Sequence, residues 1–345
     1  MGDFEEYKRQ GEPDQQKKAE NWGIAIGLQK VDDLTPSKYL ISVAKDNIEG
    51  RISIDEVAEQ VARYYKKNPA QTPQEHNEKE ADEVSARIAK LLSTHTFSFS
   101  PAEYISIHKS LFSGILDVEI AGKIRTYDII KEETVLNGDT VIYGRAESIQ
   151  EMLDYDFRLE KEFSYQGLSK AEKVAHLAKF MSGIWQIHPF CEGNTRATAV
   201  FMIKYLYTLG FKTNNDLFEK HSKYFRNALV RANYQNLEKD IPYTMTYLNK
   251  FFGNLLLGEN NRLDNREMQI KEKLTTQNNE KTPQKTTQKI LEILANNPKT
   301  TRKELANLIG ISPDGIKWNL DKLKKENKIR RVGADKGGHW EVLKS

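Results

Sequence analysis

His188-Pro189-Phe190-Cys191-Glu192-Gly193-Asn194-Thr195-Arg196 gathers a proton carrier, a carboxylate, a glycine, an amide and a guanidinium. An apolar helical run, residues 197–209, follows at once. A loop feeding a helix N-terminus suits an anion, because backbone N–H groups and the positive end of the helix dipole both attract negative charge. Gly193 lets the backbone come close, and Arg196 can grip two oxygens at once. Glu192 is the kind of ligand Mg²⁺ takes when it bridges phosphates, since that ion needs only one or two carboxylates beside water and phosphate oxygens. His188 titrates near neutrality and can take a proton from an incoming hydroxyl. The set fits phosphoryl or nucleotidyl transfer. The same letters also allow a structural reading, because His-Pro-Phe and Glu-Gly-Asn are ordinary helix entries.

The stretch resembles the signature of the Fic family: His-x-Phe-x-Asp/Glu-Gly-Asn-Gly/Lys-Arg, then two residues and a second arginine. Thr195 departs from the usual Gly or Lys, and Ala199 stands where the second arginine belongs. In the family that arginine grips the γ-phosphate of ATP in the orientation that transfers AMP, and an inhibitory glutamate engages it. The Doc branch also lacks it and is a kinase. The resemblance covers roughly residues 100–235, and more loosely 22–257.

The chain has 345 residues, a net charge of +3, 29% charged and 38% hydrophobic residues, and one cysteine. It is long enough for two or three domains. The polar start Met1-Gly2-Asp3-Phe4-Glu5 does not read as a secretory signal, and Glu6 stands where a myristoylation motif needs Ser or Thr. No apolar run approaches a membrane span. The lone Cys191 excludes an internal disulfide. These features predict a cytoplasmic protein without membrane contact.

Residues 1–20 read as a flexible arm. Helical patterns follow at 36–46 and 53–67, the second opened by a Ser53/Glu56 capping box, and residues 68–80 read as a linker. Helices are predicted at 81–93, 101–112, 147–161, 169–187, 194–209, 215–219, 222–234 and 240–256. Between them, β-prone runs at 124–130 and 140–143 flank Asn137-Gly138-Asp139, which predicts a hairpin. A polar linker, 258–284, leads to a small domain, 285–345, of three helices and a two-stranded tail. Gly310-Ile311-Ser312 is its turn, Ser312 and Pro313 its third-helix start, and 333–338 its wing tip. This tail resembles a winged helix-turn-helix. It holds about twice as many Lys and Arg as Asp and Glu, clustered at Lys317, Lys322, Lys324, Lys325, Arg330, Arg331 and Lys336. DNA contact and a protein-docking role both stay open.

The resemblance assigns further residues. The segment 22–65 resembles the antitoxin-like segments that restrain Fic enzymes through Ser/Thr-x-x-x-Glu-Gly/Asn, which makes Glu49, before Gly50, the inhibitory candidate. A second register ends at Asp46-Asn47, and Lys45 occupies the Ser/Thr position. Arg196, Arg226 and Arg231 are its candidate partners, and a plain helix C-cap at Gly50 is the alternative. Tyr224 and Phe225, with Leu229, resemble the wall of the adenine pocket. The hairpin stands where the family docks its target by strand addition, which assigns Thr134, Val135, Leu136, Asn137 and Gly138 to that flap.

The expected fold is therefore mainly α: a Fic-type helical bundle with one β-hairpin flap, plus a C-terminal winged-helix domain. Its divisions are a flexible arm and antitoxin-like helical segment at 1–80, a catalytic domain at 81–257, a linker at 258–284 and the winged helix at 285–345. The implied activity is transfer of AMP from ATP to a Ser, Thr or Tyr hydroxyl of a target protein, with autoinhibition left open. His188 is then the base, Glu192 the Mg²⁺ ligand, and Gly193, Asn194, Thr195 and Arg196 the phosphate cradle. The alternatives are a Doc-like protein kinase and a nucleotide-sensing DNA-binding regulator without transferase activity. Expected partners are the target protein and duplex DNA, the latter through Lys317, Asn319, Lys322 and Arg331; a homo-oligomer is left open.

Overall fold

The computed structural model describes residues 3–211, 216–270, 282–309, 313–333 and 338–343. They belong to two compact units, Met1–Ile270 and Lys271–Ser345. The first contains α1 (Glu5–Gln10), α2 (Pro13–Gln29), α3 (Lys38–Ile48), α4 (Ile54–Lys67), α5 (Pro73–Ser93), α6 (Pro101–Phe112), α7 (Ile149–Glu162), α8 (Lys170–Ile187), α9 (Asn194–Thr208), α10 (Asp216–Ala232), α11 (Thr246–Phe252) and α12 (Asn265–Met268). No helix among the described residues is long and apolar enough to cross a membrane.

Helix α9 lies at the centre. Every side chain from Asn194 to Leu206 is buried, as an apolar helix packed on all sides requires. Its Phe201 packs edge-on against Tyr104 and Phe157, and Tyr104 meets Phe190 edge-on and Phe157 stacked, ring centroids 5.3–6.5 Å apart. Trp22 of α2 belongs to the same core and gives its indole N–H to Asn47 Oδ1 at 3.0 Å.

Three expectations change here. The predicted flexible arm is two helices: Pro13 stands at the start of α2, Glu12 and Gln15 form a capping box, and Phe4, Ala19 and Trp22 are buried. The linker predicted at 68–80 gives way to α5 at Pro73. Thr72 caps the Glu75 N–H, and the Glu75 carboxylate returns to Thr72 N–H at 3.0 Å. The hairpin keeps its turn, with Asn137 at φ 56° and Gly138 at φ 87°, but its pairing shrinks to a single antiparallel bridge, Glu132–Thr140. Residues Thr134–Leu136 wind into a 3₁₀ turn instead, because Val135 and Leu136 insert into the core. The predicted break between 215–219 and 222–234 survives as a kink in α10 at His221.

The second unit comprises α13 (Thr282–Asn296), α14 (Arg302–Ile309), α15 (Pro313–Lys325) and the antiparallel pair β1 (Ile329–Val332) and β2 (His339–Val342). Ile290, Leu294, Leu305, Ile316, Leu320, Leu323 and Ile329 make its own core. The predicted turn at 310–312, with its Ser312 cap, and residues 334–337 of the wing, Lys336 among them, lie outside the described residues.

Candidate active site

The motif loop joins the end of α8 to the start of α9, and each of its residues is fixed by a specific contact. His188 closes α8 in the left-handed region, φ 51°. Its Nδ1 lies 3.2 Å from the Trp185 carbonyl oxygen. A carbonyl can only accept, so Nδ1 carries the proton and Nε2 keeps its lone pair. Burial, reinforced by Lys131 and Arg125, pushes this imidazole down to about 3. The ring packs against Tyr143, centroids 4.3 Å apart. His188 is a neutral base with one free nitrogen.

Asn194 clamps the loop, accepting the Phe190 N–H at 2.9 Å and giving its amide to the Phe190 oxygen at 2.7 Å. Thr195 accepts the Trp185 indole N–H at 3.0 Å. The residue after the asparagine is thereby tied to the residue that orients His188. Gly193 has φ 71°, and a β-carbon there would lie 2.4 Å from the Phe112 ring. Only glycine meets both conditions.

Two residues that pattern reading missed hold the loop from outside. Arg125, buried, donates to the oxygens of His188 at 2.8 Å and Tyr127 at 2.7 Å, and also to that of Gly144. His108 accepts the Gly122 N–H at 2.9 Å and so donates through Nε2 to the Glu192 carbonyl at 3.0 Å. Its ring stacks on Phe190 at 3.7 Å, and burial pushes it down to about 4. Neither carries a short-range sequence signal, since both act across long separations in the chain.

A cavity of about 430 Å³ opens in front of the loop, lined by His188, residues 191–196, Lys131, Asp32, Leu34 and Glu80. That volume is typical of small-molecule sites. A wider groove of about 670 Å³ along Ile142, Gln186 and Tyr243 includes none of the motif; convergent chemistry, not size, selects the smaller cavity. Arg196 is almost fully buried and already engaged. Its Nε lies 2.8 Å from Asp32 Oδ2, an ion pair too far out of line to be a hydrogen bond. Nη2 donates to Glu80 at 2.8 Å, Nη1 to Gln29 at 3.2 Å, and the guanidinium lies 4.8 Å from the Phe112 ring centroid.

Residues 98–206 match the model of the Fic/DOC family. The chain carries a Fic domain. Residues 284–330 match a winged helix-turn-helix DNA-binding model. No curated protein matches the chain. Among solved structures, the BepC effector of Bartonella tribocorum, determined with bound AMPPNP, is 20% identical at TM-score 0.42, covering 55% of this chain and 90% of that one. The Fic domain of a putative cell filamentation protein from Bartonella quintana is 22% identical at TM-score 0.41, covering 55% and 86%. A Fic family protein from Desulfovibrio desulfuricans G20 is 11% identical at TM-score 0.45, covering 99% and 91%.

Around this Fic domain several expected site residues lie elsewhere. Glu49 terminates α3, where Gly50 takes the left-handed conformation; its carboxylate is held by Tyr7 and Arg51, and Asp46 also pairs with Arg51. The helix-cap alternative accounts for Glu49, and Asp32 and Glu80 occupy the place against the motif expected of it. Arg226 instead clamps Glu133 in the flap through two bonds of 2.7 and 3.0 Å. Phe225 is core, packed on Phe218 and Phe251. Tyr224, also buried, lines a neighbouring cavity of about 420 Å³ that shares Leu34 with the one before the motif loop. In the flap, Val135 and Leu136 are buried and Val135 accepts the Ile270 N–H at 3.1 Å, so the stretch 134–138 does not border the cavity. Ile129, Ile130 and Lys131 do. Ala199 is fully buried in α9.

In the winged helix Lys317 is exposed and Lys322 half-buried. Arg331 lies 5.0 Å from the Trp340 ring centroid. Asn319 is turned inward, donating to the Gly315 carbonyl of its own helix at 2.8 Å, which removes it as a reader of base edges.

Proposed function

We propose that the Fic domain transfers AMP from ATP to a Ser, Thr or Tyr hydroxyl of a target protein, and that its N-terminal helices restrain it. The observation that carries this reading is a neutral His188, its Nε2 unprotonated, at the edge of a cavity floored by the N-terminus of α9. In the transfer, Nε2 takes the hydroxyl proton as that oxygen attacks the α-phosphorus. The bond to the β-phosphate oxygen breaks and pyrophosphate leaves. The backbone N–H groups at Gly193, Asn194 and Thr195 face the developing charge.

Mg²⁺ fits the donor set in one way only. The described residues contain no group of three or more side chains able to cage a metal, but Glu192 lines the cavity, and one carboxylate suffices for an ion that also binds phosphate oxygens. Such an ion would neutralise phosphate charge. The target strand would lie along Ile129 and Ile130, whose backbone groups make no hydrogen bond among the described residues.

Arg196 supports the restraint. While it is paired with Asp32 and Glu80 it cannot also bind a phosphate, so α2, the turn after it and α5 compete with the nucleotide. A kinase with ATP reversed is the second reading, favoured by alanine at position 199. ATP labelled in its α- or γ-phosphorus distinguishes them. AMP transfer retains the α label, phosphate transfer the γ label, and a mere nucleotide sensor neither. The winged helix, with Lys317, Lys322 and Arg331, is proposed to bind duplex DNA; about four neutralised phosphates would give a slope of log K against log salt of about −3.6.

A further inference from the structure

On α15, Ile316, Asn319, Leu320 and Leu323 face the small core, so Lys317, Trp318, Asp321 and Lys325 face outward. Trp318 is 60% exposed. The core is complete without it, and an indole displayed on a helix surface asks for a partner. Its surroundings are cationic. Lys322 lies 5.6 Å from its ring centroid, with Lys317, Lys324 and Lys325 on the same helix. Three acids nearby are matched: Asp321 to Lys324 at 3.2 Å, Glu326 to Lys328 at 2.9 Å and to Lys322 at 3.9 Å, and Glu341 to Arg330 at 2.6 Å. An apolar disc inside a positive field fits a polyanion that also presents apolar groups. Duplex DNA does so in its major groove, through the thymine C5-methyl.

We infer that Trp318 is the specificity residue of this helix and covers thymine methyl groups, in place of the inward-turned Asn319. This rests on the DNA-binding reading of the winged helix. The thymine methyl stands at the groove edge, where a helix one residue wide in contact can cover it with a flat ring, and the flanking lysines meet the phosphates on either side.

The test uses the full chain and two fluorescent duplexes of alternating sequence, dA·dT and dA·dU, which differ only by the methyl. Fluorescence anisotropy should give tighter binding to dA·dT by about fourfold for each methyl covered. Trp318→Ala, a change at an exposed site, should retain salt-dependent binding and lose the preference, and Trp318→Phe should keep part of it. Equal affinity of the parent for both duplexes, or a preference that survives Trp318→Ala, overturns the role of Trp318 while leaving DNA binding standing. Binding to neither duplex at low salt overturns both.

Discussion

Burial sets the protonation of His188 before any substrate arrives. With its imidazole at about 3, the base is already neutral throughout the range in which an exposed histidine would titrate. The pH profile of kcat/KM for labelling should therefore stay flat from pH 8 to 5, with no acid limb near 6.5. A limb there would mean that solvent reaches the ring. His188→Ala should lower labelling by about 10²–10⁴ with the fold intact, and undiminished labelling would remove the assignment. At Arg196, replacing both Asp32 and Glu80 by their amides should tighten ATP in calorimetry and raise labelling. The same change should lower Tm in the absence of nucleotide, because a buried guanidinium loses its counter-charges. Unchanged ATP affinity would show that the two carboxylates do not compete. The motif was legible because its residues are consecutive. Asp32, Glu80, His108 and Arg125 were not, because a contact across tens of residues leaves no local periodicity or capping signal. Glu49 was ambiguous for the opposite reason: Glu-Gly reads alike as a regulatory motif and as a helix terminator, and the structure places its carboxylate against Tyr7 and Arg51 at the end of α3.

At the scale of elements, the loop between α8 and α9 tolerates no β-carbon at Gly193. Gly193→Ala should cost about 1–3 kcal/mol by urea titration and abolish labelling, since the residue must leave its φ of 71° and Phe112 must move. Gly138→Ala is the control. It also has a positive φ, but open space surrounds it, so labelling should survive a smaller loss. Equal effects of the two would assign the sensitivity to backbone strain alone. Most helices were legible from caps and period, the Ser53/Glu56 capping box among them. Helix α2 was not, because its first half is polar and its apolar half, Ala19 to Leu28, is buried on too many sides to show a stripe. The runs 124–130 and 140–143 did not pair as strands because β-propensity measures fit to a pleated surface, and here Arg125 and Tyr143 are turned to the motif loop instead.

Across the whole molecule, His108 and His188 are both held neutral at about 4 and about 3. Their depressed values mean that the unfolded chain binds protons first. The stability they lend is full above 6.5 and is lost as pH falls toward 4 and then 3. Between pH 6.5 and 5 each should remove about 2 kcal/mol. Asp82, Glu83 and Asp156, raised by burial, act in the opposite sense. Urea unfolding at pH 7.5 and 5 therefore needs His188→Ala beside the parent: the loss should shrink in that variant, and an equal loss in both would mean that His188 is not held neutral by the fold.

If the proposed restraint operates, the engagement of Arg196 by the turn after α2 makes that turn a control point operable from outside. On the proposed restraint, nucleotide and turn compete for one guanidinium, so each would weaken the other by the same factor. ATP should speed amide exchange in α2, and an antibody fragment that pulls on residues 30–34 would switch the pocket on without entering it.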